Sequence, residues 1–165
     1  MIIAVVADTH GITGPVLARL ESLQPDCLLF AGDFYRDGEY MAQHLNIPAY
    51  IVSGNCDLEH RDQQEEIVNL GGVRILLVHG HQYGVKQNLN RIYYRACELE
   101  VDAVVFAHTH QPWCEKNGQL WMVNPGSPSR PRVAGPGSFA IIAIQAGEIR
   151  PYVAYLSALP NRGKD

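Results

Sequence analysis

The sequence has no long apolar run. Its N-terminal stretch, Met1 to Ala7, stops at Asp8, too short for a membrane-spanning helix and without the charged start and cleavage site of a secretory signal. There is no CxxC pair either. Cys27, Cys56, Cys97 and Cys114 lie far apart, which excludes a disulfide frame and a thiolate-ligated structural zinc and leaves reduced thiols in a cytoplasmic protein as the expectation. A basic excess is missing: 13 Lys and Arg against 17 Asp and Glu give −4 at pH 7. That argues against long nucleic acid as a partner, but not against a phosphate-bearing substrate, because a bound metal reverses the local field. Repeats and low-complexity tracts are also absent. What remains is 165 residues, 47% hydrophobic and 18% charged. Such a chain folds as one domain, here residues 1–165, burying its own core without covalent staples. The polar residues 160–165 are expected to form a loose tail.

The first third alternates strand and helix. IIAVVA after Met1 reads as a buried strand, and Val16, Leu17, Leu20 and Leu23 recur at helical spacing behind Pro15. CLLFA at 27–31 is a second buried strand. Tyr40, Met41 and Leu45 suggest a short helix, and 49–52 a third strand. This rhythm predicts parallel strands joined by helical crossovers. The pattern then changes. Hairpins are expected at 66–78 around Gly71-Gly72, at 112–123 around Asn117-Gly118, and at 139–155 around Ala146-Gly147. Between the first two lie a helix marked by Leu89, Ile92, Tyr93, Ala96 and Leu99 and a strand at 101–107. So many hairpins do not fit one parallel sheet. Two mixed sheets packed together, with helices outside, do.

The polar residues of interest sit at strand ends: Asp8-Thr9-His10-Gly11, Gly32-Asp33, Gly54-Asn55-Cys56-Asp57, His79-Gly80-His81 and His108-Thr109-His110. The carboxyl edge of a parallel sheet is where α/β folds bind ligands. Each cluster alone is weak, since an Asp after a strand is commonly a cap or turn residue. Together they are specific: five of the seven histidines (His10, His79, His81, His108 and His110) fall directly after strands, and only His44 and His60 do not. In DxH and HxH the alternate side chains point the same way, so both reach one ion or two adjacent ions. Asp, Asn and His offer mixed oxygen and nitrogen donors that suit Mn, Fe, Zn or Ni better than Ca.

DTHG, GD, GNCD, HGH, HTH and NPGS, in this order over residues 8–127, resemble the calcineurin-like metallophosphoesterases, and GNCD with the short length resembles their small prokaryotic phosphodiesterase branch. The resemblance implies a four-layer α/β/β/α sandwich of two mixed β-sheets and a centre of two divalent metal ions, manganese first, with nickel, zinc, iron or magnesium as alternatives. It implies that Asp8, His10 and His110 hold one ion, that Asn55, His79 and His108 hold the other, and that Asp33 bridges them. Ions about 3.5–4 Å apart would share a hydroxide that attacks phosphorus in line. The implied activity is that of a phosphodiesterase on a small phosphodiester. Many relatives carry histidine as a general acid where this chain has Cys56, and a thiol is a poorer match to that role at neutral pH. Ala107 stands where glycine usually precedes HTH.

Around this set, His81 is a candidate for orienting a ligand or contacting phosphate, or else a hydrogen-bonded loop histidine. Asp57 either fixes the tautomer of a ligating histidine or caps a turn. Cys56 reads as a pocket wall rather than a nucleophile. The 124–127 turn is expected to close one side of the site, with Ser127, Arg130 and Arg132 as substrate contacts; the planar guanidinium fork suits phosphate oxygens. Phe34, Tyr35, Tyr83 and Trp113 either wall a pocket for a nucleobase or aryl group or pack beneath the loops. Two other readings are a phosphomonoesterase or protein phosphatase, and a non-catalytic interaction scaffold like the retromer subunit that shares the family's fold. Assembly with further copies of the chain stays open.

Overall fold

A computed structural model of the chain describes residues 1–60 and 62–156; the expected tail at 160–165 lies outside them. β1 (Ile2–Val6), α1 (Gly14–Leu23), β2 (Cys27–Phe30), α2 (Tyr35–Leu45) and β3 (Ala49–Ile51) form the alternating N-terminal third. β4 (Glu65–Leu70), β5 (Val73–Val78), α3 (Asn90–Glu98), β6 (Ala103–Val105), β7 (Trp113–Asn117) and β8 (Leu120–Asn124) follow, then β9 (Ser138–Gln145) and β10 (Glu148–Tyr155). One five-stranded sheet has the order β10-β9-β1-β2-β3, and the other β4-β5-β6-β8-β7. β1, β2 and β3 run parallel, as do β5, β6 and β8, while the three hairpins supply the antiparallel partners. No helix among the described residues is long and apolar enough to cross a membrane.

Three apolar layers hold the sheets in register. Ile3, Val5 and Leu29 of the first sheet meet Ile75, Leu77 and Val105 of the second in the central layer. The alternate residues of the first sheet, among them Ala4, Val6, Leu28 and Phe30, face outward onto Val16, Leu17 and Leu20 of α1 and Met41 of α2. Leu76, Val78 and Val104 face Ile92 and Ala96 of α3. Both faces of β1, β2, β5 and β6 are therefore largely buried, which explains why those strands read as nearly unbroken apolar runs instead of alternating ones; the edge strand β3 is only half-buried. The arrangement is the expected α/β/β/α sandwich of two mixed sheets.

Most boundaries shift by a residue or two from the sequence reading, and α2 and β6 differ most. α2 begins at Tyr35, five residues before Tyr40. Its first turn is polar and contains Gly38, which hides the helical period. The glycine is needed because a Cβ there would lie 2.8 Å from the Phe30 ring, so α2 can pack close on β2. β6 spans only 103–105 because the chain leaves the ladder early, with the Ala107 amide donating to the His79 carbonyl at 2.9 Å. The short 3₁₀ turns at Leu58–His60 and His81–Tyr83 have no period long enough to read in advance.

Leu77 is wholly buried between the sheets. Leu77→Ala should therefore lower the unfolding free energy by about 2–5 kcal/mol, through lost burial and the cavity left behind. Tyr94→Ala, at a position 69% exposed on α3, should change it by less than about 0.5 kcal/mol; urea unfolding of both variants checks the contrast.

Candidate metal centre

The five strand-end segments converge on one edge of the sandwich. Ligand atoms of Asp8, His10 and His110 all lie within 4.8 Å of one another, and so do those of Asp33, His79 and His108. Asn55 joins the second group, its Oδ1 being 3.2 Å from His79 Nε2. Asp33 also groups with His10 and Cys56 inside the same limit, so its carboxylate stands between the two clusters. The structure thus brings together all seven residues that the family resemblance picks out as ligands.

The local backbone that does this is unusual. Asp8 (φ 53°), His10 (47°), Asp33 (56°), His108 (70°) and His110 (57°) are all left-handed. Such residues cost of order 1–3 kcal/mol each and persist only where the surroundings over-determine them. Here the loops lock one another. The Asp8 amide donates to the Gly32 carbonyl at 3.0 Å. The His108 amide donates to Asp8 Oδ2 at 3.0 Å. The Ser127 hydroxyl donates to the Asp8 carbonyl at 2.7 Å, and the Ser129 hydroxyl to the Thr9 carbonyl at 2.8 Å. Asp37 Oδ2 accepts from the Thr9 hydroxyl at 2.6 Å and from the Gly11 amide at 2.9 Å. Gly54 lies so close to Asp33 that a Cβ there would collide with the carboxylate Oδ1 and the backbone nitrogen.

Hydrogen bonds to backbone carbonyls fix the imidazoles. His79 Nδ1 donates to Ala31 O at 2.7 Å, which turns the Nε2 lone pair inward, toward His108 Nδ1 at 3.2 Å and Asp33 Oδ1 at 3.5 Å. His110 Nδ1 donates to Arg130 O at 2.8 Å, so its Nε2 faces His10 Nε2 at 3.3 Å and Asp8 Oδ1 at 3.4 Å. Burial, then His79 and Lys86, push His108 down to about 4. Burial likewise lowers His10. These rings are neutral donors of a lone pair at pH 7. Burial by itself would raise the Asp33 pKa, but His79, the amide and thiol of Cys56, and His10 outweigh it and keep the carboxylate ionised. The Asp8 carboxylate draws His110 upward against burial, the pull any cation in that place would feel.

The arrangement fits divalent cations. Asp8 Oδ1 is buried without a hydrogen-bond partner, and imidazole lone pairs converge on it and on Asp33. An arrangement of buried acceptors facing acceptors is costly until a cation or proton compensates it. Neutral imidazole, carboxylate and amide oxygen are the donor set of first-row divalent ions.

The remaining candidates separate. Arg130 and Arg132 line a cavity of about 380 Å³ together with Asn55, Cys56 and His108. Lys86 lines it too; no motif marks that lysine, so the sequence reading missed it. The Cys56 thiol donates to Asp33 Oδ2 at 3.3 Å, and burial, then Asp33, push it up to about 11. His81 lies beside the second cluster, its ring 5.4 Å from that of His79, with a buried Nδ1 that has no partner; it is not a hydrogen-bonded loop histidine.

The Asp57 carboxylate does not bond an imidazole. It accepts the amides of Phe34, Tyr35 and Gly54 at 2.7–2.9 Å, so it caps α2 and ties that helix to the 54–57 turn, leaving tautomer control to backbone carbonyls. Ser127 is not placed to touch substrate. It is fully buried, donates to Asp8 O, and accepts the Arg130 amide at 2.9 Å, so it shapes the loops from beneath. Of the four aromatics, Phe34 and Tyr35 wall a hollow next to the cavity. Tyr83 packs against the α3 layer, and Trp113 lies with Tyr93 and Tyr94 away from the site.

Residues 1–147 match the family model of the calcineurin-like phosphoesterase superfamily domain, and the chain belongs to that superfamily. It is 33% identical over 157 residues to the probable metallophosphoesterase YsnB of Bacillus subtilis, covering 92% of this chain and 90% of that one. It is 33% identical over 114 residues to the phosphodiesterase YfcE of Escherichia coli, covering 62% of this chain and 58% of YfcE. In fold it is similar to the zinc-complexed Vps29 of Entamoeba histolytica, with a TM-score of 0.77 at 22% identity over 95% of this chain and all of that one.

A divalent cation at a hundred times its dissociation constant should stabilise the fold by about 2.7 kcal/mol per site, read as a rise in Tm that a chelator reverses. Gly54→Ala should remove most of that rise, because its methyl group displaces Asp33.

Proposed function

We propose that the chain is a metal-dependent phosphodiesterase with a centre of two divalent ions. The observation that carries this reading is the pair of ligand clusters with Asp33 between them. Asp8, His10 and His110 hold one ion, Asn55, His79 and His108 the other, and Asp33 both. When bound, such ions polarise phosphoryl oxygens and lower the pKa of water for in-line attack on phosphorus. Manganese is the first choice, with nickel, zinc, iron and magnesium as alternatives.

The chain's own groups supply the rest. Arg130, Arg132 and Lys86 line the cavity and offer positive charge to the non-bridging oxygens of a phosphate. Asp33 must remain ionised to serve both clusters, and its neighbours keep it so. His81 stands where its unpartnered nitrogen can orient a ligand or receive a phosphate oxygen. Cys56 remains a thiol, so it is a hydrogen-bond donor beside the reacting centre and neither base nor nucleophile. Weak assistance to the departing oxygen disfavours phosphomonoesters with poor leaving groups. The name of YfcE supports the diester reading. The net charge of −4 favours a small substrate over long nucleic acid. The free state of Cys27, Cys56, Cys97 and Cys114 suits the cytoplasm.

The fold shared with Vps29 keeps a protein-interaction scaffold as the second reading. Against it stands the cationic lining of the cavity beside the ligand clusters, Arg130, Arg132 and Lys86, which suits phosphate oxygens and which an ion held only for structure does not need.

A chromogenic phosphodiester and its monoester counterpart, offered to protein stripped with chelator and resupplied with Mn, Ni, Zn or Mg, test the choice. Metal-restored turnover that prefers the diester is expected. Asp33→Asn should lower it by at least about a hundredfold with the fold intact. Folded, metal-loaded protein that turns over no phosphoester would favour the scaffold, and activity retained by Asp33→Asn would remove the shared-carboxylate mechanism.

A further inference from the structure

Next to the cavity at the candidate centre lies a second hollow of about 550 Å³. The two share a wall: His10, Cys56 and Arg130 line both. The chemistry of the walls changes from one to the other. The first is polar and cationic. The second is faced by Phe34, Tyr35, Leu58 and His60.

Its charges are already spent. Arg36 pairs with Glu59 at 2.6 Å, and the Asp57 carboxylate is occupied by three backbone amides. Arg130, on the wall common to both spaces, makes no side-chain hydrogen bond or ion pair among the described residues, and is left to meet the phosphate. What the hollow offers beyond that is flat apolar surface. The Tyr35 and His60 rings stack at 4.0 Å, nearly parallel, and the Tyr35 hydroxyl is tied to Gln63 at 2.6 Å.

Packing does not account for this wall. Phe34 is 40% exposed and Leu58 65% exposed. Phe34 also holds φ 76° and ψ 64°, a left-handed conformation that a bulky aromatic rarely adopts. Its amide is pinned by Asp57 Oδ1 at 2.9 Å, and its ring stands edge-on to His10 at 5.3 Å. The fold thus accepts backbone strain to present an aromatic ring to solvent at the mouth of the site, a pattern that points to function.

We propose that this hollow seats a planar, uncharged aromatic substituent of the phosphodiester, an aryl ring or a nucleobase, while the phosphate occupies the adjoining cavity. The proposal rests on the phosphodiesterase reading above and names its substrate class. The volume lies within the range of small-molecule sites and accommodates a ring with a sugar attached.

Diester analogues with both ester oxygens replaced by carbon, which cannot be hydrolysed, test it by calorimetric binding to the manganese-loaded protein: dimethylphosphinate, benzyl(methyl)phosphinate, and the methylphosphinate carried on C5′ of 5′-deoxythymidine. The benzyl or the thymidine compound should bind about tenfold more tightly than the dimethyl one, as burial of one ring allows. The larger gain identifies the source of the ring as aryl or nucleobase. Leu58→Ala and Phe34→Ala should each cut that preference to threefold or less. Leu58→Ala, at an exposed position away from the ligands, should leave affinity for the dimethyl compound unchanged. If the dimethyl compound binds and neither ring adds affinity, or if both variants keep the preference, the hollow is not the seat. If none of the three binds metal-loaded protein, the phosphodiesterase reading falls and the proposal with it.

Discussion

The carboxylate of Asp8 joins the two sheets at the edge where the candidate centre lies. One oxygen accepts the His108 amide from the far sheet. The other is buried and has only the His110 imidazole near it, its Nε2 at 3.4 Å. The same residue's backbone receives Ser127 and donates to Gly32, so four separate chain segments meet on it. An ionised oxygen in that position is expensive to bury, and a positive charge beside it, a cation between Asp8, His10 and His110 or a proton on His110, relieves the cost. The sandwich therefore stabilises a site whose own electrostatics oppose it, and binding of a cation turns that opposition into stability.

The left-handed ligands follow the same logic. A strand ends by turning its last side chains toward one point, and the positive φ of Asp8, Asp33 and His108 makes that turn within a single residue. Buried apolar layers on both faces of β1, β2, β5 and β6 supply the rigidity that holds these residues there. Loop hydrogen bonds from Asp37, Ser129 and Asn124 complete it, the last donating to Thr109 Oγ1 at 3.1 Å. A site of this kind is specified by the core behind it as much as by its ligands.

Much of this was legible from the residues. The runs IIAVV, CLLF and VRILLV are apolar because their strands are covered on both sides, and the diglycine, Asn-Gly and Ala-Gly turns mark the three hairpins. The candidate ligands were legible because they recur directly after such runs. What could not be read depends on backbone groups, which carry no residue identity. Ala31 O and Arg130 O set the imidazole tautomers, a role that the sequence offered to Asp57. Ser127 has the residue type of a phosphate contact, but its hydroxyl is used up by the Asp8 carbonyl and by the amide of Arg130 in its own loop. Lys86 enters the cavity from a segment without period or motif, and α2 hid its first turn behind Gly38, whose purpose is visible only against Phe30.

On the proposed phosphodiesterase reading, Cys56 and the apolar hollow would impose the same requirement on the substrate from two directions. A thiol ordinarily ionises above neutral pH, away from the operating pH at which a general acid works best. It gives little help to a departing oxygen. An aryl oxide needs little, because phenols ionise near 10, whereas an alkoxide leaves with difficulty unless protonated. Phe34, Tyr35, Leu58 and His60 lie on the side of the centre that Cys56 flanks. A ring seated there would place the better leaving group next to the weaker acid. A histidine in place of the thiol would supply the proton an alkoxide requires and would loosen that restriction. The residue at position 56 and the chemistry of the hollow are in this sense one selectivity device, and the aryl form of the substituent satisfies both parts of it.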